Sequence, residues 1–388
     1  MEDLLSFNIR TLNLRESVVF QYVRYLLTDE GRFAVTLNNK QTSPMEPVFT
    51  QMRIPKSNGK ARIIHAPEQG TKNMGSYAAV LLDMLTCNFT TKKNGFLDSG
   101  CFSYIEMPNA MQVMAQKFKD CEEVVHLDIK DYFPSTTKDV IVKTLRDFFA
   151  LLDKLMDPPF DIPQDKLRYE YFMDMVFRAS GVFTYKNMVQ GSPVSPILSN
   201  LIGSTLIDPE MKKRAQSDVY ARFCDDIYLG WNKRQNFNKE DVIDKLCRPI
   251  SVYNFNVKKV EIMNNQDPSR FIVVLGVHPD KGGGLKIPSR IGKKLKSQAF
   301  NVGRLPTTKE NRAKILSFRG KYTYIKQICT FNRKTASSVY VRQHPEFKGS
   351  IHYMKKLQRD VKAAYYKGMM YRIQNDITKN FEGYHARQ

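Results

Sequence analysis

Two adjacent carboxylates, Asp225 and Asp226, interrupt the apolar run YARFCDDIYLG at residues 220–230. Like charges side by side among apolar residues are unfavourable, because desolvation and mutual repulsion both oppose ionisation of the pair. A third acid, Asp128, stands 97 residues earlier in HLDIKDYF, again inside a strand-like stretch. If the two strands are neighbours in one sheet, Asp128 and Asp225 converge, and carboxylates converging at sheet depth need cations. Mg²⁺ suits an all-oxygen ligand set and keeps coordination places for phosphate oxygens. Two such ions about 3.5–4 Å apart can activate a primer 3′-hydroxyl and stabilise departing pyrophosphate. Phosphoryl transfer then asks little of the protein beyond positioning and charge. A DD pair taken alone is more often a plain hairpin turn, since Asp favours turns and tolerates strained backbone. What accompanies the acids decides between the two readings.

To hold these acids the chain needs a sheet, and its patterning predicts one inside an α+β body. Residues 1–48 read as a helical extension, with apolar spacing in SVVFQYVRYLL. QMRIPKSNGKARIIHAP has two short apolar runs around Ser57-Asn58-Gly59, a hairpin signal. Residues 71–90 and NAMQVMAQKF return to helical periodicity, and EEVVHLDIKDYFPS reads as a buried strand broken at Pro134. Helices are expected over 136–150 and 165–180, separated by the loop DPPFDIPQD. QGSPVSPILSN reads as a turn entering a helix, and YARFCDDIYLGW as a hairpin tipped by Cys224-Asp225-Asp226. VIDKLCRPI is expected to be a helix, YNFNVKKVEIM a strand and FIVVLGVHPDKGGGLKIP a further hairpin. From about Ser289 the pattern is mainly helical and basic.

Composition narrows the class. The 388 residues are 42% hydrophobic and 11% aromatic, which is globular rather than disordered. No apolar run approaches the ~20 residues of a membrane span. The N-terminus lacks a charged-then-apolar signal pattern, so a soluble, intracellular protein is expected. Six cysteines without a C-x-x-C pair argue against a zinc ribbon or disulfide framework, and six histidines form no H-E-x-x-H cluster. Net charge is +21, and residues 291–388 hold 22 Lys/Arg against 5 Asp/Glu. Such asymmetry, interleaved with aromatics in KYTYIK and YYKGMMYR, fits a surface that grips nucleic acid better than a merely solvated face. A membrane surface is a weaker choice.

The blocks IPKSNGKARIIHAP, HLDIKDYFPS, QGSPVSPILSN, YARFCDDI, NFNVKKVEI and VVLGV follow one another in an order that resembles the reverse transcriptases. The likeness covers roughly residues 50–330 and is nearest to prokaryotic retron, group II intron and defence-associated enzymes. QGSPVSP with a downstream FCDD is the specific part; VVLGV alone is weak. The resemblance implies a right-hand polymerase, with fingers over 49–127 and palm over 128–288. A helical fingers insertion would span about 136–188, and a basic helical thumb and C-terminal region 289–388. It implies Asp128 and Asp225 as principal ligands of two Mg²⁺, with Mn²⁺ as a substitute, the Ile129 carbonyl completing a shell, and Asp226 as the second acid of the box. Phe223 stands where tyrosine is commoner. Phe133 resembles the aromatic beneath the incoming sugar, where a flat ring would clash with a 2′-hydroxyl. Backbone amides of Asp131 and Tyr132 would face the triphosphate, and Lys56 and Arg62 would grip it. Gln190 and Gly191 resemble the segment against the new base pair, and Lys259 (or Lys258) the lysine that protonates leaving pyrophosphate. Arg319, Lys321, Tyr322 and Lys326 resemble a thumb that tracks the duplex.

The expected partners are a noncoding RNA template with its primer, the cDNA product and dNTPs, with no membrane; a further copy or an effector could join them. V-L-G at 274–276 replaces the V-T-G common in retrons, which tilts the resemblance towards bacterial, cytoplasmic antiphage-defence enzymes. No Cys/His cluster of a homing endonuclease follows the thumb, and little chain is left for an RNase H domain. Two other readings stand beside this one: a maturase-like RNA-binding module with little polymerase activity, and template-independent or protein-primed synthesis on the same fold.

Overall fold

The computed structural model describes residues 45–55, 61–87, 100–103, 109–155, 166–265, 271–336 and 342–385. All but the last four residues of the expected N-terminal extension, the loop DPPFDIPQD, the hairpin tip Ser57-Asn58-Gly59 and Lys56 lie outside them. Strands β1 (Phe49–Pro55) and β2 (Ala61–Pro67) pair antiparallel with Pro55 opposite Ala61, so the expected hairpin is present. Helix α1 (Gln69–Cys87) buries Met74, Tyr77, Ala78, Leu81 and Leu82, the apolar spacing of one helix face.

The central sheet has four strands in the order β4-β5-β3-β6. Its members are β3 (Glu123–Asp128), β4 (Val219–Phe223), β5 (Asp226–Trp231) and β6 (Glu261–Asn264). The middle strands are β3 and β5. They are buried along most of their length, which explains why they read as near-continuous apolar runs. Helix α2 (Ala110–Gln116) precedes β3 in the chain.

After β3 come a short helical turn, Tyr132–Ser135, and two helices, α3 (Lys138–Leu155) and α4 (Lys166–Ala179). Helix α5 (Ser195–Ile202) opens with Pro196 in its first turn, a position that needs no backbone N–H. It runs through a wide π-turn, Gly203–Ile207, into α6 (Asp208–Ala215).

The chain forms two compact units. One holds the described parts of residues 1–105, with 126–229 and 237–261; it contains the β1–β2 hairpin, α1, α3 to α6, β4 and the ends of β3 and β5 that carry the acids. The other holds 106–125, 230–236 and 262–388. It includes strands β7 (His278–Pro279) and β8 (Leu285–Lys286) and helices α7 (Ser289–Gly303), α8 (Arg312–Thr335) and α9 (Pro345–His385). Leu295, Ile325, Ile328, Leu357 and Val361 are buried within the three-helix body. No helix among the described residues is long and apolar enough to cross a membrane.

Three expectations are corrected. Strand β3 ends at Asp128 rather than at Pro134, because Asp131 adopts a left-handed φ of 50° and starts the turn that contains the proline. YNFNVKKVEIM is not one strand: Phe255 bridges Ile129, Val257–Lys259 form a 3₁₀ turn, and β6 begins only at Glu261. The stretch FIVVLGVHPDKGGGLKIP makes two reversals instead of one. Val274 and Val277 exchange backbone bonds of 2.8 and 3.1 Å around Leu275-Gly276, and β7 and β8 enclose the glycine run.

Candidate active site

The acids meet at one end of the central sheet. The Ile129 N–H donates to the Asp225 carbonyl at 3.0 Å, and the Glu122 N–H to the Trp231 carbonyl at 2.9 Å. These bonds run β3 and β5 antiparallel and bring the end of β3, with Asp128, beside the start of β5, with Asp226, while Asp225 sits on the adjoining turn. The turn is the two residues Cys224-Asp225, and Cys224 takes the left-handed conformation at φ 58°. That tight reversal places Asp225 at the tip of the β4–β5 hairpin, as the sequence led one to expect.

The electrostatics show the same gathering. Burial pushes the Asp225 carboxyl above the usual carboxylate range, and the negative charges of Asp226 and Asp128 push it further. Asp128 is buried, and its Oδ1 accepts from Lys259 Nζ at 2.5 Å. That hydrogen bond, the largest influence, holds the lysine above its ordinary value despite partial burial. The Lys258 carbonyl accepts from Lys239 Nζ at 3.3 Å, and of the two lysines it is Lys259 that reaches the acids. Its ammonium is set there by the 3₁₀ turn that replaces the expected strand.

His126 is a residue that sequence reading passed over. Its Nε2 lies 2.7 Å from Asp226 Oδ1, its ring stacks on Tyr228 with centroids 4.5 Å apart, and Glu261 Oε2 is 3.7 Å from Nδ1. Two-residue alternation along β3 puts His126 and Asp128 on one face, a signal present in HLDIKDYF but overshadowed by the acids.

Among the described residues no three His, Cys, Asp or Glu side chains converge as a ready metal cluster. Asp128 is engaged by Lys259 and Asp226 by His126. The donor chemistry nonetheless fits Mg²⁺ or Mn²⁺. Asp128, Asp225, Asp226 and the Ile129 carbonyl supply only hard oxygens, and the mutual repulsion written into Asp225 is what a divalent cation would relieve.

The remaining residues fall in several places. Arg62 is exposed on β2, opposite Ile54. Asp131 is exposed at the head of the short helical turn; the Tyr132 side chain is buried, donating from its hydroxyl to the Ser199 carbonyl at 2.6 Å. Only the backbone of Tyr132 is therefore left for the expected part. Phe133 is half-buried, edge-on to Tyr132 with centroids 5.9 Å apart.

The Gln190 carbonyl accepts from the His65 N–H at 2.8 Å, which ties this segment to the β1–β2 hairpin. Gly191, at φ +119°, lies so close that a Cβ would stand 2.5 Å from the His65 carbonyl oxygen. The close approach that this glycine permits is thus to the protein's own hairpin. In the second unit, Arg319 and Lys321 are exposed on α8, Lys321 bonds Gln298 at 3.0 Å, and Lys326 lies over the Tyr322 ring at 5.1 Å. Lys314 and Lys321 rim an open groove of about 520 Å³ between α7 and α8.

The family described as reverse transcriptase (RNA-dependent DNA polymerase) matches residues 54–278, more than half of the chain. The chain belongs to this family. The matched span of this reverse transcriptase runs from the β1–β2 hairpin through both acid-bearing strands to β7. Its antiparallel sheet with flanking helices is the α+β right-hand polymerase fold. Among solved structures it is similar to telomerase from Candida albicans in complex with a fragment of telomeric RNA, at 14% identity and a TM-score of 0.49. That match covers 84% of this chain and 63% of the telomerase chain. Apo telomerase from Candida tropicalis matches at 12% identity and a TM-score of 0.45, over 89% of this chain and 68% of the other.

Proposed function

We propose that this reverse transcriptase synthesises DNA on an RNA template by divalent-metal-assisted phosphoryl transfer. The observation that carries the reading is the gathering of Asp128, Asp225 and Asp226 at one sheet end, where burial and mutual charge raise the Asp225 carboxyl. Asp128, Asp225 and the Ile129 carbonyl would hold two Mg²⁺, with Asp226 beside them. When bound, these ions supply the Lewis acidity that makes a 3′-hydroxyl a nucleophile and offsets charge on the leaving pyrophosphate.

The chain's own residues do the rest. Lys259, kept protonated beside Asp128, is placed to give a proton to the pyrophosphate oxygen as it leaves. Lys56, Arg62 and the backbone of Asp131 and Tyr132 hold the triphosphate by charge-assisted hydrogen bonds. Phe133 excludes a 2′-hydroxyl, and Gln190 and Gly191 support the new base pair. Arg319, Lys321, Tyr322 and Lys326 line a thumb for the primer–template duplex, and the high charge of residues 291–388 suits such a partner.

The finer reading is a bacterial, cytoplasmic enzyme that copies a structured noncoding RNA during antiphage defence. It rests on the motif blocks and on V-L-G at 274–276. Primer extension on an RNA template, with Asp225→Ala/Asp226→Ala as control, tests the activity; Mg²⁺-dependent synthesis by that variant would overturn the site. Sequencing RNA and DNA recovered with the protein from its host tests the template. A defined RNA with its complementary DNA supports the reading, RNA without DNA favours a maturase-like module, and DNA of random composition favours untemplated synthesis.

A further inference from the structure

One buried charge near the acids takes no part in the chemistry above. Arg222 and Asp208 are both wholly buried. Arg222 Nε donates to Asp208 Oδ1 at 2.7 Å and Nη2 to Oδ2 at 3.0 Å. Nη2 also donates to the Asn200 carbonyl at 3.2 Å, and Nη1 reaches the Cys224 carbonyl at 3.3 Å. The Tyr220 hydroxyl donates to Asp208 as well. Room for the guanidinium exists because residue 203 is glycine: a Cβ there would stand 2.2 Å from Arg222 Cζ. The Arg222 backbone is fixed too, its N–H donating to the Gly100 carbonyl at 2.7 Å and its carbonyl accepting from the Phe102 N–H at 2.9 Å.

We infer that Arg222 is a positioning residue for the catalytic turn. Its fork holds the Cys224 carbonyl and so the left-handed Cys224 that presents Asp225, and it ties that turn through Asn200 to α5, the helix that follows QGSPVSP. The inference rests on the reading of Asp225 as a metal ligand. A buried ion pair is a poor source of net stability, since desolvation offsets most of its attraction and apolar residues of similar volume often serve as well. What apolar residues cannot do is donate to a carbonyl one residue before Asp225. Four acceptors, two carboxylate oxygens and two backbone carbonyls, also call for the five-donor fork of arginine; a lysine ammonium would keep the ion pair and lose the reach to Cys224. The same buried cation thus links the segment expected to meet the base pair with the turn expected to meet the metal.

Two variants of the full-length chain test this. Arg222→Lys keeps the charge opposite Asp208, and Arg222→Met with Asp208→Leu removes both charges so that neither is left unpaired. Thermal unfolding establishes that each folds. Mn²⁺ binding followed by electron paramagnetic resonance reads the turn without any turnover, and single-nucleotide extension gives kcat and KM for dNTP. The expectation is folded variants whose Mn²⁺ affinity falls about tenfold and whose kcat falls about 10²-fold, with KM within about threefold of wild type. Folded variants with wild-type Mn²⁺ affinity and kcat overturn the inference. So does failure of both to fold, which assigns the pair to folding alone. If the wild-type protein binds Mn²⁺ but extends no primer, the proposed activity fails, while the Mn²⁺ comparison still decides the role of Arg222.

Discussion

At the scale of single residues, the site is a set of like charges kept together by specific neighbours. Lys259 engages Asp128 and His126 engages Asp226, while burial and the two neighbouring acids raise the Asp225 carboxyl. Asp225→Asn preserves shape and removes the charge, so DNA synthesis is expected to fall about 10³-fold, the loss of several kcal/mol of transition-state stabilisation. The melting temperature should stay level or rise, because a repelling carboxylate has gone. Primer extension together with calorimetry checks both signs. His126→Ala removes the 2.7 Å partner that orients the Asp226 carboxylate. The half-saturating Mg²⁺ concentration should then rise, while the dNTP KM changes little; a metal titration of extension rate reads the difference. Phe133→Ala should raise incorporation of ribonucleotides relative to deoxynucleotides, measured as a ratio of kcat/KM values. An unchanged ratio would remove Phe133 from sugar selection.

At the scale of elements, two turns carry strain that sequence alone does not reveal. Gly191 occupies φ +119° against the His65 carbonyl. Gly191→Ala should cost about 1–3 kcal/mol of stability, as a left-handed backbone and a contact with backbone oxygen oppose the methyl group. The loss is measurable by urea unfolding. The turn Val274–Val277 has Leu275 at φ 50° and Gly276 at φ 83°, the pairing of positive φ values that suits a two-residue hairpin. Leucine there is strained, and the Tyr324 hydroxyl, pushed up to about 12 by burial, donates to its carbonyl at 3.1 Å. Leu275→Asn keeps that backbone bond and tolerates the left-handed region better, so a gain of about 1 kcal/mol is expected.

At the scale of the whole molecule, the charge is concentrated at one end of the chain. With +21 overall and most of that excess in residues 291–388, binding to a primer–template duplex should depend steeply on salt and little on sequence. If six or more phosphates are neutralised, affinity falls by about 10³-fold or more between 50 and 200 mM salt. Fluorescence anisotropy over a salt series tests this, and a shallow slope would mean that the basic face is solvated rather than engaged. The groove rimmed by Lys314 and Lys321 lies on this basic three-helix body.

The sequence by itself determined the acids, their order and the family. Asp128, Asp225, Gln190 and the apolar runs around them are legible because local patterning and chemically demanding residue types are properties of the chain. It also determined the charge asymmetry, which needs only counting. Tertiary structure decided what depends on partners distant in the chain. The 3₁₀ turn at Val257–Lys259 brings Lys259 to Asp128 across 131 positions, His126 finds Asp226 across 100, and Gly191 packs against the His65 carbonyl of β2. Arg222 reads as an ordinary strand residue until Asp208, Asn200 and the space at Gly203 surround it. Hydrophobic periodicity fixes which face of an element is buried. Which polar group a buried residue then satisfies is settled only when the elements pack and every donor must find an acceptor.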